Sequence, residues 1–531
     1  MTETTSTADI GGIITRNVAR FTIDGVLSIR PGFALVDGWL TDTRAIVVTV
    51  ESGFAETDRL PDALEGVPVD VRVASPAKRL QLVDADAYTE AHGPDPDSGA
   101  VPEFSDELAV VGGEPLAVRA SSSRAAVAQA GKPELPYAPP VGASLGPVSG
   151  TITVDLSASP DSAWPTLSAF LTGTATTLTV GLYDFTSAHV LKTVSSVLEG
   201  RTVKLVLDHP SRNPTADQTD EQTVTALTAA FGDHLTQAWA LERSDPKATA
   251  WIFPSAYHIK VAVRDSTSVW LSSGNWNNSN QPDIDPVHVP GDATAARSGD
   301  RDWHVVVHDP GLAATFEAYL LNDLAVAQQH NAAADAGPVP AALLLPNAQT
   351  PPFASFSAAA TVTAPMTITP VLTPDLGGYG PVVRALIDGA TTSLHMQFQY
   401  IELPKPAVGA ATAAPSVGLH ELVDAVIARQ KAGVDVKIIM SEFETAGYLE
   451  QLQGAGLDVV HSVRLQNNVH NKGIVVDGRA VLVSSQNWST AGTSRNRDAG
   501  VVIENVDVAA YFDTLFLHDW QNLAAAQTAS D

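Results

Sequence analysis

Apolar residues along the chain form two long stretches in which strand-like and helix-like patterns alternate. The second stretch repeats the order of the first. In the first, residues 178–185 (LTVGLYDF) and 202–207 (TVKLVL) are short apolar runs of the kind buried strands make, and 187–198 carries the spacing of an amphipathic helix. A second helix is predicted over 221–231, a strand over 303–307 (WHVVV) and a helix over 311–329. In the later stretch, 393–400 (SLHMQFQY), 434–440 (VDVKIIM) and 499–503 read as strands. Residues 419–430, 445–454 and 508–526 read as helices, the last closing the chain. Alternation together with duplication predicts an α/β class with two similar lobes about a pseudo-two-fold axis.

The lobes are expected at 151–330 and 367–531, joined by a Pro/Ala-rich connector over 331–366. Residues 1–24 read as a tail. Residues 25–82 hold short apolar runs (AIVVTV at 45–50, VPVDVRV at 67–73) between turn pairs such as Pro31-Gly32, which predicts a small, mainly-β unit. Residues 83–150, rich in Ala, Pro, Gly, Ser and acids, read as a linker or irregular covering segment.

The duplication is sharpest in one segment. His258, Lys260, Asp265, Ser273 and Asn275 stand in HIKVAVRDSTSVWLSSGNW, and His470, Lys472, Asp477, Ser485 and Asn487 in HNKGIVVDGRAVLVSSQNW, 212 positions later with no slip. One H-x-K means little, but a pattern repeated at constant internal spacing is a strong signal. Residues i and i+2 of a strand share a face, so each His projects with its Lys. Two ammonium groups and two side-chain amides suit phosphoryl oxygens. Two imidazoles, with a reference pKa near 6.5, supply a neutral nucleophile and a protonated acid. This set requires no metal, and no cofactor is expected.

Composition narrows the partners. The 531 residues allow about three or four domains. The net charge of −28 works against nonspecific affinity for polyanions. With no cysteine, disulfides and thiolate metal sites are excluded. The first residues have neither a basic nor an apolar leader region, and no run of about 18 apolar residues occurs, so a cytoplasmic protein without a transmembrane segment is expected, with export by a route lacking such a signal left open.

With its two H-x-K-x4-D motifs, the chain resembles the phospholipase D superfamily over about residues 151–531. The resemblance implies a metal-independent phosphodiesterase or phosphatidyltransferase that works through a phosphohistidine, active as a monomer with both lobes on one chain. It implies His258 as nucleophile and His470 as acid/base. Lys260, Lys472, Asn275, Asn487, Ser273 and Ser485 would bind the phosphate. Asp265 and Asp477 complete the catalytic motif but read as framework fixing its turn. A downstream acid orients each histidine in that family, and Asp302 and Asp498 stand in the matching places.

Two departures stand out. Ser-Ser replaces the family's usual glycine-containing pair in both copies, and residues 281–300 lengthen the first His-to-Asp spacing by 16 relative to the second, a loop expected at the mouth of the site. Hydrolysis of a phospholipid head-group ester is the leading expectation, with a nuclease as the alternative that the negative charge disfavours. Tyr183 and Tyr400, ending equivalent strands, are candidates to line the cleft, and residues 343–356 (LLLPNAQTPPFASF) to touch lipid. His209, His288, His304, His308, His395 and His461 have no repeated partner and read as structural or solvated.

Overall fold

The computed structural model describes residues 7–36, 39–51, 53–74, 108–111, 114–116, 137–208, 217–240, 253, 256–329, 355–375, 378–403, 417–441 and 445–525. Among these residues are two sheets, of six and 14 strands. The smaller sheet contains β1 (Val26–Val36), β2 (Trp39–Val50), β3 (Ala63–Leu64), β4 (Val67–Val73), β5 (Leu108–Val111) and β6 (Glu114–Leu116), in the order β3-β4-β2-β1-β5-β6. The mainly-β unit is therefore larger than 25–82. Residues 83–150 do not merely link or cover, because they contribute β5 and β6 to this sheet and begin the next strand.

Nor is 1–24 a tail. Residues Thr7–Asn17 form a helix whose Ile10, Ile13 and Ile14 are buried against Ile29, Ile46 and Val48. Their spacing of three and four puts them on one face. Phe21 and Ile23 extend the same core. The unit is tied to the second lobe through Glu450, buried between Arg30 and Arg72, with Arg72 at 2.9 Å. Phe33 and Leu40 enter that lobe's core beside Tyr379 and Leu449.

The large sheet carries the duplication. Lobe 1 supplies β7 (Val148–Ser159), β8 (Thr177–Leu182), β9 (Thr202–Leu207), β10 (Leu235–Trp239), β11 (Lys260–Arg264), β12 (Ser268–Ser272) and β13 (Asp302–His308). Lobe 2 supplies β14 (Ala360–Thr373), β15 (Ser393–Phe398), β16 (Asp435–Ser441), β17 (Val463–Gln466), β18 (Lys472–Val476), β19 (Ala480–Ser484) and β20 (Asp498–Glu504). From the centre outward the orders are β7-β13-β12-β11-β8-β9-β10 and β14-β20-β19-β18-β15-β16-β17, the same topology twice. The halves join where β7 pairs antiparallel with β14, with Val154 opposite Val362. Residues 360–366, expected in the connector, are part of β14, so lobe 2 starts earlier than 367.

The architecture is thus α/β with two duplicated lobes. The parallel strands β8 and β9 are largely apolar because helices cover both faces, while the edge strand β10 is only partly buried. Helices Pro310–Gln328 and Val506–Asn522 pack on the same side of the sheet and share one core across both lobes, with Phe316 and Leu320 from one and Phe512 and Phe516 from the other. Each such side chain contributes about 1.5–3 kcal/mol when fully buried. This shared core fixes the lobes to each other.

Candidate active site

In each lobe the H-x-K segment leads into a strand buried between neighbours, β11 or β18. Lys260 and Lys472 open those strands and are fully buried. A tight turn follows, with Asp265 and Asp477 at φ of 53° and 52°. Their carboxylates accept backbone N–H bonds where β8 and β15 begin: Asp265 from Ala175, Thr176 and Thr177 at 2.7–2.9 Å, and Asp477 from Thr391, Thr392 and Ser393 at 2.8–3.1 Å. These donors hold both carboxyls below the usual range, Asp265 at about 2. Five residues of strand, roughly 16 Å, separate Asp265 from Lys260. Asp265 and Asp477 thus tie the motif turn to the start of the neighbouring strand.

The returning strands β12 and β19 end at Ser272 and Ser484, and the next serine meets the acid that opens β13 or β20. Ser273 Oγ donates to Asp302 Oδ1 at 2.6 Å and accepts from Trp303 N at 3.1 Å. Ser485 Oγ donates to Asp498 Oδ1 and accepts from Ala499 N at 3.0 Å. Both hydroxyls are hydrogen-bonded to a carboxylate and so support the acids.

The acids then cross the pseudo-dyad. His258 Nδ1 lies 2.9 Å from Asp498 Oδ1, and His470 Nδ1 lies 3.0 Å from Asp302 Oδ1. Asp302 and Asp498 face the histidines, but each acid serves the histidine of the other lobe. The chain enforces this crossing: His470 N donates to Arg301 O, and Arg497 N to Ala256 O.

Lys472 Nζ is 3.1 Å from His470 Nε2 and 3.5 Å from the carbonyl of Ser273 in the other lobe. Lys260 Nζ lies 5.3 Å from the Tyr183 ring centroid and donates to the His258 carbonyl. Asn275 and Asn487 are buried, and among the described residues the Oδ1 of each has no hydrogen-bond partner.

Burial, then the lysine charge, pushes His258 and His470 each down to about 4, and Lys472 is pushed down to about 8 by burial. Burial and a neighbouring Lys472 also hold Lys260 well below its ordinary value. Both imidazoles are therefore neutral near pH 7, unlike the one-neutral, one-protonated pair that the reference pKa suggests. An anion between the lysines offsets their field and favours uptake of one proton.

Four more buried acids and two arginines were not singled out from the sequence. Arg301 binds Asp161 at 2.9 Å within its lobe and Asp519 of lobe 2 at 2.8 and 3.0 Å. Arg497 binds Asp323 of lobe 1 at 2.8 and 3.0 Å, and Asp375 of its own lobe. The signal was present: Arg301 and Arg497 lie 196 positions apart, as do Asp323 and Asp519. Each arginine immediately precedes an orienting acid and locks it into the lobe interface.

Tyr183 packs edge-on to His258, with ring centroids 5.1 Å apart, and Tyr400 lies 6.0 Å from Tyr448. They are not equivalent. Leu182 pairs with Lys260, and Phe398 with Lys472, so Tyr183 matches Gln399 and Tyr400 matches Asp184. His304 is buried on Ser159, at 2.9 Å, and stacked on Trp270. His308 pairs with Asp155, His395 with Asp513, His288 with Asp285 and His461 with Asp458. His209 and residues 343–354 lie outside the described residues.

The family model described as "Cardiolipin synthase, PLD-like domain" matches residues 383–520, which contain the whole second motif and Asp498. Over these residues the chain is similar to the phospholipase D superfamily. Among curated phospholipase D relatives, the mitochondrial cardiolipin hydrolase of Danio rerio is 26% identical over 104 residues, covering 19% of this chain and 46% of that protein. The phospholipase D of Rickettsia conorii is 29% identical over 108 residues, covering 20% and 52%. The chain spans about half the length of these curated relatives. Among solved structures, the phospholipase D family member Nuc of Salmonella typhimurium aligns with TM-score 0.24 and 26% identity over 30% of this chain and 97% of its own. The phosphatidylserine synthase of Haemophilus influenzae aligns with TM-score 0.44 and 14% identity over 70% and 88%. At these TM-scores neither alignment bears on function.

Proposed function

We propose that this chain cleaves phosphodiesters through a phosphohistidine, with phospholipid head-group esters as the substrate class. The observation that carries the reading is the crossed pair of His–Asp contacts, which joins two H-x-K segments into one buried site with two lysines and two amides. One chain supplies both half-sites, so a monomer has the whole set.

In the first step His258 Nε2 attacks phosphorus, the bond to the leaving oxygen breaks, and the His470 imidazolium gives its proton to that oxygen. In the second, His470 takes a proton from water or an alcohol, whose oxygen displaces His258. Lys260, Lys472, Asn275 and Asn487 hold the non-bridging oxygens, and the buried lysines stabilise charge developing there more than exposed ones would. Proton transfer by a placed imidazole is worth about 10²–10⁴ in rate. Lipid is favoured over nucleic acid by the charge of −28 and by the names of the two curated relatives.

The test is turnover in EDTA of phosphatidylcholine vesicles and of single-stranded DNA, each with wild type and His258→Ala. Head-group release that the substitution abolishes is expected. DNA cleavage that the substitution abolishes, with no lipid turnover, overturns the lipid assignment. Strong inhibition by EDTA overturns the metal-free chemistry.

A further inference from the structure

The two halves of the site differ in the hydrogen bonds around their orienting acids. Asp302 and Asp498 each accept from a serine hydroxyl and a histidine through Oδ1. Asp302 Oδ2 also accepts from Asn280 Nδ2 at 2.9 Å, whereas Asp498 Oδ2 is buried with no hydrogen-bond partner among the described residues. The Asn280 amide is held in this orientation. Its second N–H donates to Asp300 Oδ2 at 2.9 Å, and its Oδ1 accepts from Asn275 N at 2.9 Å.

Lobe 2 has no counterpart to this clamp. Asn280 N donates to Asn277 Oδ1 as Gly492 N donates to Ser489 Oγ, so Gly492 occupies the position of Asn280. Glycine is required there, because a Cβ would lie 2.2 Å from Asn487 O. Asn496 stands where lobe 1 has Asp300. Lobe 1 makes room for the clamp with Gly274, where a Cβ would meet Asp302 Oδ2 at 2.6 Å; lobe 2 has Gln486. Asn280 and Asp300 bracket the 281–300 insertion, closed at its base by Asp300 N on Ser279 O at 2.7 Å. The insertion thus returns Asp300 to the clamp.

We propose that Asn280, held by Asp300, is a positioning residue that weakens Asp302 as the partner of His470 and so makes two similar histidines unequal. A carboxylate that accepts fewer donors keeps more of its charge for its imidazole. Asp498 supports a phosphorylated, cationic His258, while the clamped Asp302 leaves His470 a more ready proton donor. The direction of catalysis is then built into the hydrogen bonds that the acids accept. This inference rests on the phosphohistidine reading for its consequence, but the clamp itself is testable without turnover. The charged and titratable groups facing Asp302 and His470 are Asp300, His304, Arg301, Lys260 and Lys472.

The experiment is a ¹³C-histidine NMR titration in excess inorganic phosphate, from about pH 3 to about pH 8, on wild type and Asn280→Ala. Removing the donor should raise the His470 midpoint by about half a pH unit and leave His258 in place. Asn280→Ser is the second variant should the first fail to fold, and Asp300→Asn, which retains an acceptor for Asn280, should keep His470 at the wild-type value. Equal movement of both histidines, or none, overturns the clamp. A second readout is the kcat ratio between an alkyl and a p-nitrophenyl phosphodiester, which should fall several-fold in Asn280→Ala because only the alkyl leaving group needs the acid. An unchanged ratio beside a shifted His470 overturns the catalytic consequence. Absence of wild-type turnover beside the same NMR shift overturns the phosphohistidine reading and leaves the clamp standing.

Discussion

Asp302→Asn and Asp498→Asn look like the same substitution in two copies, yet the structure predicts different costs. At Asp498, Oδ1 must remain an acceptor, because Ser485 Oγ already accepts from Ala499 N and has only its own proton to give. An asparagine at 498 meets this by placing its oxygen at Oδ1 and its nitrogen at Oδ2, where no donor stands. The tautomer of His258 is retained and only the charge is lost. At Asp302 neither orientation works. Oδ1 faces the Ser273 hydroxyl and Oδ2 faces the Asn280 amide, both donors. Turning Asn280 over would break its bonds to Asp300 and to Asn275 N.

A buried donor set against a donor costs about 1–3 kcal/mol beyond the shared loss of charge. Urea unfolding at pH 7 should therefore show Asp302→Asn less stable than Asp498→Asn by about that amount. Kinetics should separate them too. On the proposed route through a phosphorylated His258, Asp498→Asn weakens the partner of the attacking imidazole, so adduct formation should slow by about 10–100-fold in single turnovers, the difference between a charged and a neutral hydrogen bond. Equal stability losses, or a greater loss in Asp498→Asn, would refute the donor assignment around both acids.

Three further outcomes are expected. Asp519→Ala leaves buried Arg301 with Asp161 as its remaining carboxylate and should cost about 3–5 kcal/mol in urea unfolding; a cost below about 1 kcal/mol would mean the cross-lobe pair adds little. Lys472 is cationic below its value of about 8, so kcat/KM should fall as pH rises through that value, and a flat profile to about pH 10 would remove Lys472 from phosphate binding. Asp265 has a folded pKa of about 2, below the unfolded value near 3.9, so its contribution is present above about pH 4 and is lost as pH falls toward 2. Asp265→Asn should reduce the acid dependence of stability in that window, as followed by circular dichroism, while kcat stays near wild type.

The histidines, lysines and asparagines of the site were legible because the motif is local. Its period-2 strand geometry and its turn are set by residues a few positions apart, so constant spacing reports them directly. The order of strands and helices was legible for the same reason. What joins the halves was not. The crossing of Asp302 to His470 and Asp498 to His258 depends on how β7 meets β14, a pairing over 200 positions apart, and no local period encodes it. The helix at Thr7–Asn17 was missed although Ile10, Ile13 and Ile14 carry the right spacing, because one short apolar face looks like a tail until a sheet is there to bury it.

The differences between the copies say more about function than their identity does. A strict duplication would leave His258 and His470 interchangeable, with no reason for either to be the nucleophile. The motif itself supplies none, since it is the same at every chemical position. The break lies at one variable position of the motif, where Gly274 faces Gln486, and beyond it, where Asn280 faces Gly492 and the insertion delivers Asp300 opposite Asn496. A glycine in one copy sits where the other needs a side chain, at two neighbouring positions in opposite directions. That exchange is what a pseudo-symmetric site needs if one half is to attack phosphorus while the other manages the proton.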